Sequence, residues 1–310
     1  MKTAFLFSGQ GAQYPGMMKE IYDTEPAAKE VFDAADKALG REISKLCFEG
    51  AQEELNLTHN TQPCVLAADL AAGMALKAKG IAPEAVAGFS LGEYAALTFA
   101  GAIPMDEVFA MVQLRADAMQ EAVPAGKGAM AAFIGAPADE VEKLCSMVKS
   151  GYVIPANYNS PVQTVISGEA DAVDEAIALG VEKGLRCMKL AVSAPFHCAM
   201  MKPAAQKLGE LFESKSFSAP EIPVYMNVNG EPVSSAGDIP GLLVKQAMSS
   251  VQWVKTLENM RDSGIDTFIE CGPGKTLSGL VKKTLKGVKI CRVENIKTLE
   301  STLEALSEEQ

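Results

Sequence analysis

Apolar and polar positions follow two rhythms along this 310-residue chain. Short apolar runs closed by glycine or proline mark strands at 3–7, ahead of Gly9-Gln10-Gly11, at 85–88 and again at 266–270. Stripes of helical period cover 61–79, with Pro63 in the first turn and Gly80 past the last, and 104–122. In the second of these, Asp106 and Glu107 stand in the first turn, and Val108, Met111, Val112 and Met119 share a face with Arg115. Between 126 and 192 the rhythm changes to strand (129–134), helix (138–149), strand (152–156), strand (163–167), helix (170–183) and strand (187–192). That order, βαββαβ, is the order of a ferredoxin-like unit. Beyond it the pattern predicts a helix over 200–212, a strand over 222–228 ending at Asn229-Gly230, and a broken helix over 240–261. Pro273-Gly274 opens a final, lysine-bearing helix. The expected division is a larger α/β domain made of 1–125 and 193–310, into which 126–192 is inserted.

Composition narrows the classes. An apolar fraction of 48% supplies a large core, and no stretch is long enough to span a membrane. The apolar start is too short for a signal peptide and runs at once into the glycine turn, so it reads as a strand. Seven cysteines, odd in number, scattered and without a C-x-x-C pair, indicate reduced thiols in a cytoplasmic protein and no metal site. A net charge of -11 argues against nucleic acid as a partner, because phosphate binding needs a basic face.

The stretch Gly88-Phe89-Ser90-Leu91-Gly92 sets a serine between two glycines where a strand gives way to a helix. Small flanking residues permit the sharp turn that lifts a nucleophilic hydroxyl off the backbone and leaves the Leu91 amide free at a helix N-terminus. The same pattern also serves as a plain tight turn with a capping serine. A serine nucleophile needs a base, and the chain has two histidines. His59, in a polar stretch ahead of a helix, has the setting of a surface or capping residue. His197 follows the turn Ser193-Ala194-Pro195-Phe196 and precedes a helix whose dipole disfavours imidazolium, which suits a general base; a satisfied histidine at a helix end is the other reading. No acid announces itself as a third member, which leaves a backbone or amide carbonyl to orient the ring. Arg115, on an apolar helix face, either pairs with an internal acid or, if it faces the serine, grips a carboxylate with two parallel bonds. Gly9-Gln10-Gly11 lacks the third glycine of a dinucleotide loop, but such a turn can aim an amide at a neighbouring oxyanion.

In order along the chain stand Phe7-Ser8-Gly9-Gln10-Gly11, Gly88-Phe89-Ser90-Leu91-Gly92-Glu93-Tyr94, Gln113-Leu114-Arg115 and Ala156-Asn157-Tyr158-Asn159-Ser160-Pro161. Ala194-Pro195-Phe196-His197, Val251-Gln252-Trp253 and Glu270-Cys271-Gly272-Pro273-Gly274 follow. Together, almost end to end, they resemble the malonyl-CoA:acyl carrier protein transacylases, acyltransferases of fatty-acid and polyketide synthesis. The resemblance implies an α/β fold, an α/β-hydrolase-like domain with an inserted ferredoxin-like (βαββαβ) small domain, with the active site in the cleft between them. It implies Ser90 as the acylated nucleophile, His197 as its base, the Gln10 and Leu91 amides as the oxyanion hole and Arg115 as the malonyl carboxylate binder. Gln246 matches the residue whose backbone carbonyl orients the histidine, and Phe89, Phe196 and Asn159 match further substrate contacts.

The residue before the nucleophile is usually histidine in this family, and here it is Phe89. At Phe196, polyketide acyltransferase domains that select malonyl tend to carry phenylalanine, whereas many fatty-acid enzymes carry serine. The implied activity is a two-step transfer of malonyl from malonyl-CoA, through an ester on Ser90, to the phosphopantetheine thiol of acyl carrier protein, with coenzyme A as product. The resemblance implies no metal or redox cofactor, and the chain is expected to act as a cytoplasmic monomer. The alternatives are a serine hydrolase or acyl-editing thioesterase, a trans-acting acyltransferase of a polyketide synthase, and a catalytically silent carrier-binding module. Lys282, Lys283, Lys286 and Lys289 are candidates for docking the carrier, against the plainer reading of a solvated helix face.

Overall fold

The computed structural model describes residues 1–192 and 194–307; Ser193, in the turn expected before His197, lies outside them. The chain begins with β1 (Thr3–Phe7), then α1 (Lys19–Thr24), α2 (Pro26–Leu39), α3 (Ile43–Glu49), α4 (Gln52–Leu55) and α5 (Thr58–Ala78). Next come β2 (Ala85–Gly88), α6 (Gly92–Phe99) and α7 (Met105–Glu121). A second group holds β3 (Gly128–Ile134), α8 (Ala138–Met147), β4 (Val153–Ser160), β5 (Gln163–Glu169), α9 (Ala170–Glu182) and β6 (Arg186–Lys189). The chain then returns through α10 (Lys202–Phe212), β7 (Val224–Tyr225), α11 (Ile239–Met248) and α12 (Trp253–Asp262). It ends with β8 (Thr267–Cys271), α13 (Thr276–Thr284), β9 (Lys289–Val293) and α14 (Ile296–Ser307).

Strands β7-β2-β1-β8-β9, in that order, form a parallel sheet. A parallel sheet is covered on both faces, and β1 accordingly has no exposed residue. Phe5 and Phe7 face the helices α5 and α6, while Ala4 and Leu6 face Trp253, Leu257 and Leu280 on the other side. In register, Phe7 stands beside Gly88 on one neighbour and Cys271 on the other, so three strands end at one level. The loops leaving that edge carry Gln10 and Ser90. Ligands of open parallel sheets bind at this carboxyl edge.

The second sheet is antiparallel, in the order β4-β5-β3-β6. Side chains alternate along β3: Ala129, Ala131 and Phe133 pack on α8 and α9, while Met130 and Ala132 face Met119, Phe196 and Met201 of the larger part. The βαββαβ order read from the sequence is thus realised, its helices on the outer face. A short bridge between Asn157 and Val251 ties this sheet to the loop before α12.

Several expectations shift. Helix α5 starts at Thr58, three residues earlier than expected, which puts Pro63 inside it. Proline there strands the carbonyl four residues back, at His59, and this oxygen accepts Arg41 Nη2 at 2.9 Å and Gln113 Nε2 at 3.2 Å instead. The strand expected over 222–228 is only Val224–Tyr225, because the chain turns at Met226–Gly230 and Asn227 points into the core. The helix after Pro273-Gly274 is not the last element, since β9 and α14 follow and place Lys289 on a strand. Sequence reasoning passed over α1 to α4, although α2 buries Ala28, Val31, Phe32 and Ala35 at helical spacing.

Candidate active site

Ser90 occupies the turn from β2 to α6 with φ 53°, in the left-handed region where a non-glycine residue is strained by roughly 1–3 kcal/mol. Both flanking glycines are obligatory there: a Cβ on Gly88 would sit 1.9 Å from the Gly92 backbone, and one on Gly92 would sit 2.3 Å from the Phe7 carbonyl oxygen. Among the described non-glycine residues only Met18, Ser90 and His197 have positive φ. Two of these three face each other.

His197 is 3% exposed, and its Nε2 lies 2.7 Å from Ser90 Oγ. Its Nδ1 lies 2.9 Å from the Gln246 carbonyl oxygen, which can only accept. Nδ1 therefore carries the proton, and Nε2 is the free acceptor facing the hydroxyl. Burial first, and the Arg115 charge second, pull the imidazole down from its usual 6.5 to about 4. His59 lies apart, half-buried in the first turn of α5, with its carbonyl serving the helix as above. Of the two histidines, His197 is the one placed against Ser90 Oγ.

Arg115, on α7, is 1% exposed and makes no ion pair among the described residues. Instead Nη1 donates to Gln62 Oε1 at 2.7 Å, and Nη2 donates to Ser90 Oγ and to Gln246 Oε1, both at 3.1 Å. The Tyr94 ring lies under the guanidinium, 5.4 Å from its carbon. A cation buried beside a nucleophile, with neutral hydrogen-bond acceptors only, is a receptor for an anion. Gln246 joins the three residues: its carbonyl accepts His197, its Oε1 accepts Arg115, and its Nε2 donates to the Ser90 carbonyl at 2.6 Å.

Neither the Gln10 nor the Leu91 backbone amide donates to an acceptor among the described residues, while the Gln10 side chain is held aside on Thr58 Oγ1. Both amides are available to an oxyanion. A cavity of about 260 Å³ opens between the two sheets, lined by Gln10, Ser90, Arg115, Asn159, Phe196 and Leu280 among others. Its surface is mainly apolar. The Asn159 Oδ1 is buried there without a partner. Phe89 forms part of the wall and packs edge-on against Trp253, with ring centroids 5.2 Å apart.

Sequence reasoning did not single out Gln62, Glu93 or Asn227. Gln62 had a signal, a polar residue in a helix otherwise buried nearly all round. Glu93 stands in the serine motif itself and is fully buried, with burial pushing its carboxyl up to about 8 against the opposing pull of the Asn227 amide, Arg115 and Gln246. Asn227 had none, because its partners around Ser90 lie more than a hundred residues away.

A strained serine at a strand-to-helix turn, a neutral histidine and two free amides define a serine acyl-transfer site on an α/β fold. Residues 4–302 match the acyl transferase domain family. The malonyl CoA-acyl carrier protein transacylase of Bacillus subtilis is 43% identical over 99% of this chain and 98% of its own length. That of Escherichia coli K12 is 42% identical over 90% and 92%. Among solved structures, the malonyl CoA-acyl carrier protein transacylase of Clostridium perfringens superposes with a TM-score of 0.96 at 43% identity, covering 99% and 98% of the two chains. A malonyl-transacylase in complex with a type II polyketide synthase acyl-carrier protein superposes at 0.95 with 39% identity, covering 98% and 100%. The chain belongs to the malonyl-CoA:acyl carrier protein transacylase family of acyl transferases.

Proposed function

We propose that the protein transfers malonyl from malonyl-CoA to the phosphopantetheine thiol of an acyl carrier protein, supplying extender units for fatty-acid synthesis. The reading rests on one observation: Ser90 Oγ is shared between the neutral base His197, at 2.7 Å, and the buried cation Arg115, at 3.1 Å. Arg115 holds the malonyl carboxylate as Ser90 Oγ attacks the thioester carbon and passes its proton to His197 Nε2. The Gln10 and Leu91 amides take the oxyanion, a contribution of roughly 3–4 kcal/mol per donor. The C–S bond breaks, and the departing coenzyme A sulfur takes the proton from His197. In the second half the carrier's thiol gives its proton to His197 and attacks the ester, and Ser90 recovers the proton as its C–O bond breaks.

These steps draw on side chains, backbone amides and two thiols alone. Residues 1–125 and 193–310 act as the catalytic part and 126–192 as the insert that closes the cavity, all within one chain. Asn159 Oδ1, unpartnered in the wall, and Phe196 bound the acyl group. No disulfide joins the seven cysteines among the described residues, in keeping with a reducing, cytoplasmic setting. Brief mixing with malonyl-CoA is expected to add one malonyl to the intact mass, on the peptide holding Ser90, and holo carrier protein to remove it as malonyl-carrier. Release as free malonate at the same rate without carrier would make the protein a hydrolase.

A further inference from the structure

Asn227 lies on no regular element, yet it is fully buried and every polar atom it has is used. Its Oδ1 accepts the Ser90 backbone amide at 2.6 Å, and its Nδ2 donates to the Gly88 carbonyl at 2.7 Å. Its own amide donates to Glu93 Oε2 in the first turn of α6 at 2.5 Å, and its carbonyl accepts the Gln252 amide at 2.8 Å. One side chain therefore grips the backbone on both sides of Phe89, across the residues that turn the strand into the helix.

We propose that Asn227 is a positioning residue for the nucleophile, holding Ser90 in its strained turn and engaging the Ser90 amide so that the Leu91 amide is the one left to the oxyanion. The inference rests on Ser90 being the acylated residue. A non-glycine residue in the left-handed region persists only where its surroundings over-determine it, and here the surroundings are the Asn227 amide group and the Gln246 amide on the Ser90 carbonyl. The pairing needs one acceptor and one donor on a planar group, which among side chains of this length only asparagine offers. Aspartate supplies the acceptor but turns an oxygen toward the Gly88 carbonyl. The Glu93 contact fixes Asn227 to the helix whose start it organises, and the Gln252 contact fixes it to the segment leading into Trp253, the ring on which Phe89 packs. Asn227 touches neither the cavity nor Arg115, so substrate binding is separable from its role.

The test is single-turnover malonylation of Ser90 by malonyl-CoA, followed by intact mass over a range of substrate concentration. Asn227→Ala is expected to slow acylation about 100-fold, the scale of a small misplacement of a reacting atom, while half-saturating malonyl-CoA stays within about threefold. Asn227→Asp, of the same shape, is expected to slow it as well and carries the test if the alanine variant does not fold. A folded variant that acylates within threefold of wild type, or one whose half-saturation rises as much as its rate falls, overturns the inference. Wild-type protein forming no Ser90 ester would overturn the transacylase reading instead.

Discussion

One hydroxyl, Ser90 Oγ, receives two unlike neighbours, and the charge of one helps set the protonation state of the other. Arg115 makes no ion pair among the described residues, and its charge helps hold His197 neutral. A group lowered from 6.5 to about 4 is protonated only below that range, so the base stays competent as pH falls well below neutrality. The acid limb of kcat/KM for malonyl-CoA, which reports the free enzyme, is expected near pH 4 with a flat profile from about 5.5 to 7.5. A limb near 6.5 would place the base in an open, solvated site. Arg115→Ala is expected to weaken malonyl transfer by roughly 2–5 kcal/mol relative to acetyl transfer, and to move the acid limb upward because a repelling charge is gone. Parallel rates with the two coenzyme A esters check the first, and an unchanged malonyl-to-acetyl ratio would contradict it. Phe89 brings an apolar ring rather than a polar contact to the wall, so on the proposed reading the carboxylate falls to Arg115, and the apolar lining strengthens that pairing.

At the scale of elements, the site depends on how closely β1, β2 and α6 approach. Gly92 lies against the Phe7 and Ser8 carbonyls, and no rotamer change can relieve a clash with backbone. Gly92→Ala is expected to lower the thermal midpoint by several degrees and to cut Ser90 acylation more than the stability change explains, because α6 must shift with the turn it carries. Calorimetry beside the mass assay measures both, and a fully active variant of unchanged midpoint would show the approach to be slack. Helix α13 is set by a comparable device. The Glu270 carboxylate accepts the Leu277 and Ser278 amides at 2.9 and 2.7 Å, and so steers Leu277 and Leu280 to the cavity.

Taken whole, the molecule carries a net charge of -11, so a carrier of like charge would be repelled from most approaches. Helix α13 lines the cavity at its start and carries Lys282 and Lys283 in its last turn, with Lys286 just beyond; Lys289, by contrast, reaches the Ala305 carbonyl. Lys282 and Lys286 border a shallow groove with Leu285 and Ile290. Reversing both to glutamate is expected to raise the carrier's KM several-fold at low salt, with the difference fading as salt is added, and to leave malonyl loading of Ser90 unchanged. An unaltered KM at low salt would put docking on another face.

Local signals were sufficient wherever one stretch of chain settles its own geometry. The Gly-x-Ser-x-Gly turn, the alternation that builds the antiparallel sheet and the apolar stripe bearing Arg115 could all be read this way, because sterics and burial periodicity act over a few residues. The short helices α1, α3 and α4 could not, since segments of that length take their stability from packing. Nor could the retention of Pro63 within α5, which needs Arg41 and Gln113 to satisfy the His59 carbonyl. Which side chains complete the site was decided by tertiary structure alone. Gln62 meets Arg115 across 53 positions and Asn227 meets Ser90 across 137, and a hydrogen bond closed over such distances leaves no periodic trace in the chain that makes it.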